Sequence, residues 1–85
     1  MKNEWLITFR SVTFAQRGER ILRNNRIACQ MQRTPKHLTE RGCGYCLRLS
    51  GLNISEAMDI LRREKLPYEK VYALKDDGST QERVL

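Results

Sequence analysis

The stretch RGCGYCLRL, residues 41–49, decides how this chain folds. Tyr45, Leu47 and Leu49 alternate with Cys46 and Arg48. That period of two predicts a strand with one apolar side and one polar side. Glycines at 42 and 44 flank Cys43 and permit a sharp bend into the strand. If the apolar side is the core side, Cys46 and Arg48 point the other way. A slip by one residue would exchange the two sets.

The same reasoning extends outward. Upstream, Ile27, Cys29 and Met31 alternate with Ala28, Gln30 and Gln32, giving another strand that Thr34-Pro35 ends. Lys36 to Gly44 is a polar loop, with a helical turn expected around His37 to Glu40. Trp5, Ile7 and Phe9 alternate with Leu6, Thr8 and Arg10 in a first strand. Between these two strands, Phe14, Ala15, Gly18, Ile21 and Leu22 recur at helical spacing. Thr13 with Gln16 fits a capping box at the start, and Asn24-Asn25 suits the C-terminal cap. Downstream, Asn53 with Glu56 opens a second helix, with Ile54, Ala57, Met58, Leu61 and Lys65 on one face, which stops before Pro67. Tyr68 to Leu74 reads as a fourth strand, and Asp76-Asp77-Gly78 as a turn.

The order β-α-β-β-α-β predicts an α+β domain of the ferredoxin-like type. Its four-stranded antiparallel sheet carries both helices on one face. Residues 1–75 make up this domain, and 76–85 a C-terminal tail or short added strand. Trp5, Ile7, Phe9, Ile27, Cys29, Met31, Tyr45, Leu47 and Leu49 are expected on the helix side. Thr8, Arg10, Gln30, Gln32, Cys46 and Arg48 would line an open face that is polar and basic.

The totals narrow the class. Eighty-five residues with 31% charged residues suit one small soluble domain. No apolar run approaches membrane-spanning length, and MKNEWLITF lacks the features of a secretion signal. A cytoplasmic protein is expected, with a homodimer as a means of burying more surface. The net charge of +6 favours an anionic partner. Three cysteines are too few for a disulfide scaffold, so free thiols, metal ligands or catalytic groups come first.

Four chemistries compete for residues 41–49. Cys43-x-x-Cys46 has the spacing of one zinc knuckle, but a closed site needs four ligands. Only Cys29, which points into the expected core, and the single histidine, His37, remain, so no metal is assigned. A thioredoxin-type pair needs a helix after the first thiol, and here a strand follows, which leaves a Cys43–Cys46 disulfide only as a protective or resolving step. Arg41-Gly42-Cys43-Gly44-Tyr45 resembles the third-strand signature of RNA-recognition motifs. That signature would turn Tyr45 and Leu47 to solvent and Arg48 inward, against the hydrophobic pattern. RNA or acidic-protein binding through the basic sheet face stays as the alternative.

A single reactive thiol fits best. Cys43 lies between glycines, and Arg33, Lys36, His37, Arg41 and Arg48 are near it in sequence or across paired strands. Cations favour the thiolate, which is the nucleophile. Cys46, on the open face, would serve as a resolving thiol, and Cys29 as a core residue. No carboxylate pair, Ser-His-Asp set, phosphate loop or cofactor fingerprint is present, so a carrier or accessory protein without a cofactor is favoured over a complete enzyme.

Several of these residues together resemble a known family. They are a strand ending near Thr8-Phe9, the Pro35-Lys36 step, Cys43-Gly44 leading into Tyr45-Cys46-Leu47-Arg48-Leu49, a capped helix, and a strand carrying Tyr72. The pattern is similar to that of the small bacterial selenium/sulfur carrier-like proteins and covers roughly residues 4 to 74. The resemblance implies a carrier that holds sulfur or selenium on Cys43 as a persulfide or selenosulfide. Its partners would be sulfur- or selenium-transfer proteins. This sequence departs from the family pattern at Cys46, where a small apolar residue is usual.

Overall fold

The computed structural model describes residues 4–38 and 44–83. Chain order is β1 (Glu4–Phe9), α1 (Val12–Asn24), β2 (Cys29–Arg33), the 3-10 turn η1 (Lys36–Leu38), β3 (Tyr45–Ser50), α2 (Ile54–Arg63), β4 (Val71–Leu74) and β5 (Thr80–Arg83). The result is an α+β fold with two helices and one antiparallel sheet. The sheet has five strands in the order β2-β3-β1-β4-β5, not the four expected. The chain turns at Lys75–Gly78 and pairs Thr80–Arg83 with β4, so the layout departs from a simple ferredoxin-like sheet by a strand outside β4.

Strand register follows the alternation read from residues 45–49. Phe9 lies opposite Tyr45, and Tyr45 opposite Arg33. Ile7, Phe9, Leu47, Leu49, Cys29 and Val71 pack in one cluster with Ala15, Leu22, Ala57, Met58 and Leu61 from the helices. Trp5, Met31 and Tyr45 are half-buried against the same cluster. Each large side chain removed from water there contributes about 1.5–3 kcal/mol. The helix comes close to the sheet at Gly18. A Cβ there would lie 3.1 Å from both Leu47 Cδ1 and Phe9 Cζ.

The helix ends differ in detail from expectation. Ser11, not Thr13, caps α1, and its hydroxyl accepts from the Phe14 N–H at 3.3 Å. Thr13 lies within the first turn. Asn53 caps α2 by position but makes no side-chain cap hydrogen bond. At its far end, α1 closes with the Ile27 N–H on the Leu22 carbonyl, and α2 with Leu66 on Leu61. Arg26 and Lys65 then take the left-handed conformation, at φ 64 and 56. Glycine usually fills that place, because it has no Cβ to clash. Tyr68 to Lys70, expected in the fourth strand, precede β4. Glu69 and Lys70 still bond to Thr8 through backbone and hydroxyl.

The second sheet face is not open throughout. The link after β2 lays η1 across it. Leu38 packs on Leu6, Cys46 and Tyr72, and all three are buried. His37 Nε2 lies 3.2 Å from Thr80 Oγ1 on β5. The expectation of a wholly exposed basic face is therefore corrected. The apolar residues Leu6 and Tyr72 on that face need a cover, and Leu38 supplies it.

The free edge at β2 is also occupied. Glu19 Oε2 accepts the Met31 N–H at 3.2 Å, and Arg23 Nη2 donates to the Cys29 carbonyl at 2.9 Å. The two side chains are themselves an ion pair one helical turn apart. Backbone groups that would invite a further strand are thus engaged from α1. Among the described residues, no helix is long and apolar enough to cross a membrane.

Candidate thiol site

The bend into β3 is pinned by the Thr34 N–H donating to the Gly44 carbonyl at 3.1 Å. β3 itself is held between β2 on one side and β1 on the other. Arg33 ends β2 opposite Tyr45, and Lys36 opens η1. Both are exposed, with no ion pair to any described residue. His37, in η1, contacts Thr80 and points to β5. Arg41, Gly42 and Cys43 lie outside the described residues.

Cys46 occupies the expected face but is 0% exposed, beneath Leu38. Its neighbours across the ladders are Thr8 and Gln32. Burial pushes its thiol pKa up, against the opposing effects of hydrogen bonds with Thr34 and Gln32 and the nearby Arg48 charge. A packed, protonated thiol is a weak nucleophile. A surface resolving role for Cys46 does not match this placement. Cys29 is 8% exposed in the helix-side core. Burial and the Glu19 charge raise its pKa, despite Arg23.

Arg48 is paired with Glu4, and that hydrogen bond raises its own pKa. Its Nε is buried without a hydrogen-bond partner. The guanidinium therefore serves Glu4 as well as the Cys46 side of the sheet. Four residues of this site escaped the sequence reading: Glu4 and Thr34 as polar neighbours, Leu38 as the cover, and Thr80 as the partner of His37. One signal was available for Leu38, the sole aliphatic side chain between Lys36 and Gly44. The remaining contacts join residues far apart in sequence and leave no local pattern.

One arrangement is excluded by this geometry. Leu47 is buried among helix residues, so the RNA-motif register, which needs Tyr45 and Leu47 outward, does not occur. Among the described residues, no three His, Cys, Asp or Glu side chains gather as metal ligands. What the arrangement offers is two thiols held protonated in packed surroundings and exposed cations along the approach to β3.

A family model described as "Putative Se/S carrier protein-like" matches residues 4–73. No curated protein and no solved structure matches the chain.

Proposed function

From the premise that the chain belongs to the Se/S carrier protein-like family, we propose that it carries sulfur or selenium on Cys43. The observation that carries this reading is the state of the other two cysteines. Cys29 and Cys46 are both packed, and burial raises both pKa values. The nucleophile's role falls to Cys43. Its sequence neighbours Gly42 and Gly44 carry no side chain, and Arg33, Lys36 and Arg41 are close to it in sequence.

Loading needs no change in oxidation state overall. The Cys43 thiolate attacks the outer sulfur of a donor persulfide, a new S–S bond forms, and the donor leaves as its thiolate. Unloading is the reverse transfer, to an acceptor thiolate, with Cys43 as leaving group. Selenium would follow the same route from a donor selenosulfide. Cys46 enters only when Leu38 moves away, so it is a reserve thiol rather than the first site of attack. Donor and acceptor are sulfur- or selenium-transfer proteins, and the cytoplasm is the compartment this chemistry suits.

The test is a loading assay. Reduced protein is treated with a small-molecule persulfide and its intact mass is measured. Wild type should gain one sulfur, and Cys43→Ser none. Equal gain by both proteins would remove Cys43 from the account.

A further inference from the structure

The chain's net charge is not spread over the fold. Residues 10–36 contain six arginines and Lys36 against Glu19 alone, a net of +6, which equals the net charge of the whole chain. Residues 44–83 hold seven basic and seven acidic side chains and are neutral. The positive half is α1 with β2, the last strand on one side of the sheet. Arg17, Arg20 and Arg23 recur every third residue along the exposed side of α1. Arg23 is tied to Glu19, whereas Arg17 and Arg20 have no ion pair with any described residue.

We propose that the outer face of α1 is a docking surface for an acidic face of a partner protein. Guanidinium groups pair with carboxylates through two parallel hydrogen bonds, which gives orientation as well as attraction. A second copy of this chain is disfavoured there, because it would bring like charge against like. Addition of a partner strand at β2 is disfavoured too, because Glu19 and Arg23 already hold the Met31 N–H and the Cys29 carbonyl.

Nucleic acid fits this surface less well. Single strands bind on exposed aromatic rings. The large apolar side chains exposed among the described residues are Val12 and Leu52. Val12, 38% exposed, opens α1 and puts an apolar side chain at the N-terminal end of the same helix. Such a side chain suits a protein surface better than a phosphate backbone. This proposal stands whether or not Cys43 carries a chalcogen.

The experiment uses poly-L-glutamate and a short RNA duplex as probes, with binding followed by amide NMR shifts at low and moderate salt. Poly-L-glutamate should shift α1 amides and lose affinity as salt rises. Arg17→Glu with Arg20→Glu should weaken binding about tenfold, whereas Lys75→Glu with Arg83→Glu, an equal change in net charge, should weaken it less than about twofold. Circular dichroism confirms that both variants fold. Equal loss in both variants, or no shift at α1, would overturn the proposal. Tighter binding of the RNA duplex at α1 than of poly-L-glutamate would do so as well, and would assign the surface to nucleic acid.

Discussion

Truncating Leu38 should uncover Cys46 without unfolding the protein. Leu38 is half-buried and joins Leu6, Cys46 and Tyr72 in a cluster separate from the main core. A fully buried leucine cut to alanine costs about 2–5 kcal/mol. Half burial brings that to about 1–2 kcal/mol, borne mainly by the cover over the second face. If Cys46 reacts only through openings of that cover, Leu38→Ala raises its labelling rate about five- to thirtyfold, since about 1.4 kcal/mol is a factor of ten. The assay is disulfide-exchange labelling in a Cys43→Ser background, with the labelled peptide identified by mass spectrometry. Cys29, under α1 on the other face, is the internal reference and should keep its rate. An unchanged Cys46 rate would mean that Leu38 is not the cover. Equal acceleration at both cysteines would mean that the thiols are reached by global unfolding.

Other outcomes follow from the same contacts. Ser11→Ala should lower stability by about 1 kcal/mol, as loss of an N-cap does, whereas Asn53→Ala should cost much less, since its side chain makes no cap bond; chemical denaturation of both variants compares them. Arg26→Gly and Lys65→Gly should each raise stability by about 1 kcal/mol by relieving left-handed strain, measurable as a higher midpoint in urea. Stability should also fall as pH rises above about 8.5, the ordinary cysteine value. Cys29 and Cys46 have raised pKa values in the fold, so the contribution is full below that pH and is lost as pH climbs through the folded-state values. Replacing Cys46 with Ala should flatten this alkaline slope in urea titrations run from pH 8 to 10.5; an unchanged slope would contradict the burial argument.

Much of the fold was legible because alternation and helical spacing are local. The register at Tyr45 to Leu49 followed from hydrophobic alternation, and it placed Cys29 inside and Cys46 on the second face. Strand β5 was only half visible, because Thr80–Arg83 carries polar residues that gain strand character by pairing with β4. The cap at Ser11 was missed because Thr13 and Gln16 offered a competing local pattern. Cys46 shows where sequence reasoning stops. Its face could be read, but its burial depends on Leu38 crossing over from a loop, and loop paths have no period. The Glu4–Arg48 pair likewise joins residues that only the β1–β3 ladder brings together.

The most direct measurement loads the reduced wild-type protein with a heavy-sulfur persulfide and locates the label among the three cysteines by peptide fragmentation. The account predicts the heavy sulfur on Cys43, with Cys29 and Cys46 unlabelled under native conditions. Label found first on Cys46 or Cys29, or no label on any of the three, would contradict it.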